Sequence, residues 1–523
     1  MSAKTAASLV DALVAIVGAE NVQRGLEAAA FYTDVFRAQA EPIAVVRPAS
    51  VEALRAVVRA AAEADTPINV RGGGASYTDG YTPSAAGQVL LDLGGLDRIV
   101  EINETDAYVT VEAGVTWAKL KSELDARGLR TPFWGPFSGL VATVGGSMSQ
   151  NTISHGSGAY GISAGSALAM DMIATDGTLV RTGSAINGGA PFTRNYGPDL
   201  TGLFTGDCGA LGVKARITLP LLKVRPAHRP ISFAFADFGA MHEVLRLVAA
   251  ERLEDTSFIL DGALSQGQIA RQDRAGDLLG MALSILKSSP SLAAGVGQLL
   301  GGALRARRDI AVSAYMIHYI VEGVDDAEVK ARLHRIRQIA APYGREIPAT
   351  VPAVVRGMPF APFYNVLGPN GERWVPVHGV FPHSQGKAVN AALVAFFAER
   401  QADMKRLGVW KGEMFSTVGA GGLLYELALY WPDAISAYHE AYVPADYLAA
   451  LPRHPDNPEA RAYAHKLKAD LVALFDAHGA IYYQLGRAYP YAGVVQGEAL
   501  DLVRAVKARM DPKGLLAPGV LGL

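Results

Sequence analysis

The feature that most constrains this chain is a short predicted strand that leads directly into three consecutive glycines. The strand, residues 68–70, follows Pro67 and continues as Arg71-Gly72-Gly73-Gly74-Ala75-Ser76. Glycines after a strand expose successive backbone N–H groups, which form a concave nest for phosphate oxygens, and the arginine and serine side chains add further donors. Taken alone, the segment also fits a glycine-rich turn without a ligand.

Glycines with small polar neighbours recur further along the chain. Glycine accounts for 56 of the 523 residues, without the periodicity of collagen, and three more clusters lie at 112–114, 143–147 and 206–212. An extended dinucleotide requires several close approaches of backbone, and glycine leaves room for them. The clusters together therefore predict a dinucleotide site.

Two further glycine motifs do not support this prediction. Residues 156–161 fit the G-x-G-x-x-G pattern, but they follow a polar stretch rather than a strand, so they do not predict a Rossmann fold. Gly386-Lys387 lacks the remainder of a phosphate-binding P-loop.

Composition excludes several classes of protein. Apolar residues make up 50% of the chain and charged residues 19%, which suits a large core and excludes a disordered polypeptide. The net charge of −2 gives no reason to expect a nucleic-acid partner. The single cysteine, Cys208, excludes an intramolecular disulfide and a thiolate metal site. The eleven histidines are scattered, so we expect no metal.

The pattern of elements changes near residue 222. Before it, short apolar runs alternate with turns; after it, longer helices are predicted at 324–341, 386–407 and 461–477. The last 45 residues return to short elements rich in glycine and proline. We therefore predict a first domain at 1–222, a second at 223–478, and a segment at 479–523 that returns to the first domain.

The glycine clusters carry a resemblance to a known family. Arg71-Gly72-Gly73-Gly74, the strand 111–115, Thr143-Val144-Gly145-Gly146 and residues 206–213 resemble the FAD domain of the vanillyl-alcohol oxidase/p-cresol methylhydroxylase superfamily, and residues 510–519 are similar to its closing motif. The resemblance implies an α+β fold. In it, two α/β subdomains form the FAD-binding domain, and an α+β cap domain with an antiparallel sheet holds the substrate over the flavin.

The resemblance implies FAD as the cofactor and a set of residues around it. The expected cofactor-binding residues are Arg71, Gly72, Gly73, Gly74, Ala75, Ser76, Gly114, Pro136, Thr143, Gly145, Gly146, Ser147, Asn151, Gly156, Gly209, Gly212, Val213 and Tyr364. Tyr364 lies at a suitable spacing for the covalent flavin link of some relatives, whereas Ala75 replaces the histidine that carries the link in others. A dissociable FAD, with Tyr364 only lining the cap, is the alternative that we favour.

The cap resembles the phenol-oxidising branch of the family. Residues 374–377 and 412–415 resemble two of its segments, and residues 480–487 a third. This resemblance implies that Glu413, Tyr482 and Arg487 are catalytic. Structural roles are the alternatives: an ion pair between Glu413 and Arg487, and a core position for Tyr482. Tyr483 and Val520 stand where the family has arginines, which weakens the prediction of a phenolate site.

The expected function is that of an FAD-dependent oxidase or dehydrogenase. It would transfer a hydride from a small, aromatic or apolar alcohol, or from an activated C–H group, to flavin N5, and the electrons would pass to oxygen, a cytochrome or a quinone. A flavin dehydrogenase of an aliphatic alcohol or 2-hydroxy acid is the alternative. A metal-assisted hydroxy-acid enzyme is disfavoured, because the histidine-rich metal motif of hydroxy-acid relatives is missing and Ala477-His478-Gly479 stands in place of their Glu-His-Gly. A flavin-fold protein that only binds a ligand is a more distant alternative.

One segment has two interpretations. Residues 278–304 are apolar and interrupted by glycines, and Arg305, Arg307 and Arg308 follow them. This composition suits peripheral contact of 278–308 with the inner membrane by an otherwise cytoplasmic protein. The helical spacing of the leucines favours burial in the cap or in the interface of a homo-oligomer.

Overall fold

The computed structural model describes residues 3–37, 39–275 and 313–523, so the segment 278–308 lies wholly outside the described residues. The strands are β1 Val22–Gln23, β2 Ala44–Val46, β3 Ile68–Arg71, β4 Val89–Asp92, β5 Ile99–Asn103, β6 Tyr108–Glu112, β7 Leu129–Arg130, β8 Ala169–Ile173, β9 Leu179–Arg181, β10 Val213–Pro220, β11 Leu222–Lys223, β12 Ala227–Phe235, β13 Thr256–Asp261, β14 Tyr315–Gly323, β15 Arg345–Ile347, β16 Arg373–Pro382, β17 Trp410–Val418 and β18 Gly422–Trp431.

Helices alternate with these strands throughout the described chain. The α-helices are α1 Ala3–Val17, α2 Val51–Glu63, α3 Trp117–Asp125, α4 Val144–Gln150, α5 Ser157–Tyr160, α6 Leu200–Leu203, α7 Phe238–Ala250, α8 Gly262–Ala275, α9 Asp326–Ala340, α10 Thr350–Gly357, α11 Gly386–Leu407, α12 Ala437–Tyr442, α13 Ala445–Ala450, α14 Pro458–Ala477 and α15 Gly497–Met510. The 3₁₀ segments are Ala19–Asn21, Gly25–Ala28, Leu93–Gly95, Ser163–Ser166, Gly183–Asn187, Phe363–Val366, His383–Gln385 and Val520–Gly522. None of the helices in the described ranges is long and apolar enough to cross a membrane.

The first part of the chain contains two sheets. One has the order β1-β2-β4-β3, in which β2, β4 and β3 run parallel, and the other is antiparallel with the order β5-β6-β10-β8-β9. Their apolar faces share one core with α1, α2, α3 and α4. Helix α2 begins at Val51, because the Ser50 side chain accepts a hydrogen bond from the Ala53 N–H and caps the first turn.

The end of the chain returns to the first sheet. The Ile68 N–H donates to the Leu515 carbonyl at 2.8 Å, and the Ala517 N–H donates to the Ile68 carbonyl at 2.7 Å. These bonds continue the sheet beyond β3, the strand that leads into the glycine loop. The return predicted from the composition of the last residues therefore reaches the edge of the predicted cofactor site.

The middle of the chain forms a seven-stranded antiparallel sheet with the order β15-β12-β14-β13-β17-β18-β16. Helices α7, α9, α11 and α14 cover one face and share a large apolar core with it. Strand β18 shows how the two faces differ: Tyr425, Leu427 and Leu429 enter this core, whereas Glu426 and Ala428 face a cavity on the other side. The α+β fold class, with its antiparallel cap sheet, is confirmed.

Candidate functional site

A cavity of about 510 Å³ lies between the first part of the chain and the seven-stranded sheet. One wall consists of the loop after β3, the first turn of α4 and the loop before β10. The other wall consists of the inner face of β16, β17 and β18 together with α8 and α10. The cavity therefore joins the predicted cofactor site to the predicted substrate domain.

The loop after β3 has a shape that only glycine allows. A Cβ atom on Gly73 would lie 1.7 Å from the Val141 carbonyl oxygen, and one on Gly72 would lie 2.5 Å from Thr143 Oγ1. Gly74 has a φ of +69°. Among the described residues, the backbone N–H groups of positions 72–76 have no hydrogen-bond acceptor, and these positions line the cavity. Such a row of free donors fits the diphosphate of a dinucleotide.

Arg71 shapes this loop from behind rather than lining the cavity. It is 4% exposed, and its guanidinium donates to Asp92 Oδ1 at 3.2 Å and to the Gly72 carbonyl at 3.2 Å. The same group donates to the Tyr442 hydroxyl at 2.5 Å. The ion pair with Asp92 compensates the buried charge. Arg71 thus connects β3, the glycine loop and α12.

A second close approach occurs at the start of α4. A Cβ on Gly145 would lie 2.7 Å from Ala113, and the Thr143 hydroxyl accepts a hydrogen bond from the Gly146 N–H at 3.1 Å. Ser147 Oγ accepts from the indole N–H of Trp117 at 2.7 Å. Thr143, Gly145, Gly146 and Ser147 all line the cavity. The glycines allow the helix and the strand β6 to meet at the cavity wall.

The loop before β10 is the third place where backbone comes close to the cavity. Gly209 and Gly212 line the cavity with φ values of +82° and +157°. Behind them Lys214 donates to Asp207 Oδ1 at 2.5 Å, an ion pair that is fully buried. Cys208 lies in the same loop, where burial raises the pKa of its thiol to about 12 and keeps it protonated.

The structure divides the predicted cofactor residues into two groups. Those that line the cavity are Gly72, Gly73, Gly74, Ala75, Ser76, Pro136, Thr143, Gly145, Gly146, Ser147, Gly209, Gly212 and Tyr364. Those that do not are Arg71, Gly114, Asn151, Gly156 and Val213.

The second group supports the wall from outside. A Cβ on Gly114 would lie 2.0 Å from the Leu93 carbonyl oxygen, and one on Gly156 would lie 2.3 Å from that of Pro132. Asn151 ends α4 in a left-handed conformation, and the Val213 side chain is part of the core. These residues were predicted to bind the cofactor, but the cavity does not reach them.

On the side of the sheet, one carboxyl group lines the cavity. Glu426 projects from β18 into the cavity and lies close to the Tyr77 hydroxyl. Burial raises the pKa of Glu426 to about 7. His378 is its direct partner on β16, and burial lowers the pKa of this imidazole to about 3, so the ring is neutral. A carboxyl with a pKa near 7 can act as a general acid or base.

Glu413 lies on the opposite face of the sheet from the cavity. Its carboxylate accepts hydrogen bonds from Lys411 Nζ and, at 3.2 Å, from the Tyr425 hydroxyl. Its neighbour Met414 lines the cavity, and side chains alternate along a strand, so Glu413 points towards the core under α7 and α11. This placement differs from the expected position beside the flavin.

Tyr482 and Arg487 also lie outside the cavity lining. The Tyr482 hydroxyl donates to Asp476 Oδ1 at 2.6 Å, and Arg487 donates to the Thr82 carbonyl at 2.6 Å. The residues that line the cavity in this segment are Tyr483 and Gln484. The predicted segment is therefore at the site, but its register is shifted by one residue, and the alternative of a core position for Tyr482 describes its surroundings.

Glu426, Tyr77 and His378 were not predicted from the sequence. One signal for Glu426 exists, because it is the single acidic residue in the apolar run from 423 to 431. A buried strand accommodates such a residue only where a partner or a cavity receives it. Tyr77 directly follows the predicted loop. Among the described residues, no group of three or more histidine, cysteine, aspartate or glutamate side chains could hold a metal ion.

Comparisons with known proteins agree on the cofactor. Residues 42–183 match the family model of an FAD binding domain. The chain is 26% identical over 224 residues to a glycolate oxidase subunit of Bacillus subtilis, a match covering 43% of this chain and 46% of that protein. It is 28% identical over 249 residues to the 4-cresol dehydrogenase (hydroxylating) flavoprotein subunit of Pseudomonas putida, covering 45% of this chain and 46% of that protein. The chain thus matches less than half the length of these curated relatives.

A solved structure extends the comparison to the whole fold. The crystal structure of p-cresol methylhydroxylase with substrate bound superposes with a TM-score of 0.72 at 18% sequence identity, covering 100% of this chain and 98% of that chain. At this identity the likeness concerns the fold. The domain match confirms FAD as the predicted cofactor, and the glycine cradle described above fits it.

Proposed function

We propose that the chain is an FAD-dependent oxidoreductase of the vanillyl-alcohol oxidase/p-cresol methylhydroxylase superfamily that acts on a small, aromatic or apolar alcohol or activated C–H group; the FAD binding domain match and the shared fold support this. The observation that carries the proposal is one continuous cavity, with the glycine loop at one wall and the Glu426 carboxyl at the other. Cofactor and substrate can then meet in one space between the two parts of the chain.

The chain's own groups supply alignment and proton transfer. Residues 72–76, the first turn of α4 and the loop around Gly209 would hold the cofactor; bound FAD would supply the acceptor for the hydride. As the substrate carbon loses its hydride, the Glu426 carboxylate takes up the proton of the substrate hydroxyl. In this proposal the Tyr77 hydroxyl, which lies close to Glu426, helps to orient the carboxyl. Glu426 then takes the catalytic role that the resemblance implied for Glu413.

The remaining wall of the cavity favours an apolar substrate. Side chains of Trp374, Met414 and Leu424 line it on the sheet, and Val355 and Met358 line it on the opposite side. A substrate with an aromatic ring or an apolar chain gains binding energy by leaving water for such a wall.

Anaerobic flavin bleaching tests the proposal. The purified holoprotein would be mixed without oxygen with a panel of benzylic alcohols, alkylphenols, aliphatic alcohols and 2-hydroxy acids, while the visible flavin absorbance is recorded. We expect benzylic or other apolar substrates to bleach the flavin fastest, and admission of air, a cytochrome or a quinone then identifies the electron acceptor. A yellow protein that no compound bleaches would contradict the proposal, and bleaching by 2-hydroxy acids alone would favour the alternative substrate class.

A further inference from the structure

Besides Glu426 and the ion-paired Lys214, a further charged side chain lines the cavity. Arg271 lies on α8 and is 2% exposed. Its Nε donates to the Leu367 carbonyl at 3.0 Å, and its Nη2 donates to the Tyr430 hydroxyl at 2.9 Å. Within the described ranges, its Nη1 has no hydrogen-bond partner and no carboxylate lies at ion-pair distance from the guanidinium. Among the described residues, Arg271 is thus a buried positive charge at the cavity wall without a counterion.

Several other buried cations in the described ranges are paired with carboxylates. Lys214 is paired with Asp207, and Arg130 is paired with Glu322. Arg373 lacks an ion pair but donates to three backbone carbonyls and does not line the cavity. A buried charge without a counterion is costly unless a ligand supplies one. Arg271 therefore has the properties of a group that meets its counterion when the cavity is filled.

Two further polar side chains lie beside Arg271 on the same helix. Ser265 and Gln268 precede it at intervals of three residues, which places all three towards one side of α8, and all three line the cavity. The Ser265 hydroxyl has no hydrogen-bond partner among the described residues, although it is buried. Neutral donors next to an arginine are the usual surroundings of a bound carboxylate.

The separation between the two polar ends of the cavity follows from residue positions along strand β18. Glu426, Ala428 and Tyr430 project from the same face, and Arg271 donates to the Tyr430 hydroxyl. Four residues of a strand span about 13 Å. The residue between the two ends on this face of β18 is Ala428, so this part of the wall is apolar. One molecule that contacts both polar ends must therefore be long, and apolar in its middle.

We propose that the substrate is an elongated, amphipathic acid: its oxidisable carbon lies at Glu426, and a carboxylate at the other end of an apolar spacer binds Arg271, Ser265 and Gln268. This inference rests on the proposed function and specifies its substrate class. The carboxylate is distant from the reacting carbon, unlike that of a 2-hydroxy acid.

A homologous series of ligands tests the length and the charge together. The probes are 4-(hydroxymethyl)phenylalkanoic acids with two to six methylene groups, each paired with its methyl ester. Binding is followed by perturbation of the flavin spectrum, and reaction by anaerobic bleaching. We expect acids of intermediate or greater length to bind about tenfold to a hundredfold more tightly than their esters, the scale of a charged hydrogen bond. Short acids should show no such preference.

Variants distinguish recognition from a structural effect. Arg271→Met should abolish the preference for the acids while leaving the affinity for the esters and the content of FAD unchanged. Arg271→Lys should restore part of the preference, and Ser265→Ala should reduce it less than Arg271→Met does. Arg246→Met, which removes an arginine from the surface of α7, serves as the matched control and should leave the preference unchanged.

The outcomes separate the inference from the proposed function. Equal affinity of acids and esters at every length, or an acid preference that survives in Arg271→Met, would overturn the inference even if the esters bleach the flavin. Tight, Arg271-dependent binding of acids without bleaching would support the inference and contradict the proposed activity. Failure of every acid to perturb the flavin spectrum would also overturn the inference.

Discussion

At the scale of single residues, the Glu426 carboxyl decides how the activity depends on pH. Burial raises its pKa to about 7, and the group takes up the substrate proton only when it is ionised. We therefore expect the rate constant of anaerobic flavin reduction to rise as the pH increases through about 7 and then to level off. Glu426→Gln should remove this step and slow reduction by about 100-fold with FAD still bound. Stopped-flow measurements from pH 5.5 to pH 9 check the profile; an unchanged profile in the variant would exclude Glu426 as the base.

Gly73 shows how one residue decides whether the cofactor is held. A side chain here would collide with the Val141 carbonyl oxygen, because a Cβ would already lie 1.7 Å from it. The loop of free N–H groups would then move away from the wall. We expect Gly73→Val to purify without FAD, and flavin absorbance relative to protein absorbance measures the loss. Gly493→Val is the control, since nothing lies within 4 Å of its Cβ position. A folded Gly73→Val protein with full FAD content would contradict the assignment of this loop.

At the scale of secondary-structure elements, neighbouring strands of one sheet separate two glutamates. Glu426 on β18 faces the cavity, and Glu413 on β17 faces the helices, where it is paired with Lys411. We expect Glu413→Gln to lower the melting temperature, because Lys411 loses its partner, and to change flavin reduction by less than about threefold. Glu426→Gln should slow flavin reduction strongly and change the melting temperature little. Thermal melting and anaerobic reduction of both variants check this; a 100-fold slower reduction in Glu413→Gln alone would restore the role first predicted for Glu413.

The 3₁₀ segment Phe363–Val366 brings Tyr364 to the cavity. The ring centroid of Tyr364 lies 4.4 Å from that of Tyr447, and this packing gives the side chain a structural role in the cap. We expect FAD to be dissociable, so that acid precipitation leaves the yellow colour in the supernatant for both wild type and Tyr364→Phe. Colour in the wild-type pellet that disappears in Tyr364→Phe would show a tyrosyl link instead.

The sequence predicted those features that depend on local pattern. The strand and glycine loop at 68–76 were found because backbone geometry there requires glycine. The sequence did not show that Glu426 faces the cavity and Glu413 faces the helices. Both strands are buried on both faces, so the alternation of polar and apolar residues does not mark the face towards the cavity. The sequence also did not show that Tyr483 rather than Tyr482 lines the cavity, because this depends on how the segment after α14 meets the sheet.

At the scale of the whole molecule, a buried charge cluster lies where the N-terminal segment, the loop after the glycines and α14 meet. Lys468 of α14 donates to the Tyr77 carbonyl at 3.3 Å, and Asp79 accepts hydrogen bonds from Arg37 and Gln39. Tyr77 in turn lies close to Glu426. The cluster therefore connects the first part of the chain to the carboxyl that we propose as the base in the cap.

Within this cluster, Asp34 makes the stability of the whole chain depend on pH. It is fully buried, and burial together with the neighbouring Asp79 raises its pKa to about 7. The unfolded chain releases this proton near pH 4, so between about pH 4 and pH 7 the folded protein binds more protons, and stability falls as the pH rises through this window. Asp34→Asn should remove this loss of stability with rising pH. The asparagine amide oxygen can still accept hydrogen bonds from the backbone N–H groups of Phe36 and Arg37.

The melting temperature of wild type should accordingly fall between pH 5 and pH 8 relative to that of Asp34→Asn, with each pKa unit of the shift worth about 1.4 kcal/mol. Differential scanning calorimetry at both pH values checks the prediction. Asp97→Asn is the matched control, because the Asp97 side chain is 55% exposed and its removal should leave the pH dependence of wild type intact. If Asp34→Asn and wild type melted in parallel at both pH values, the proton would be absent from folded Asp34. The link between the two parts of the chain would then be an ordinary ion-pair network.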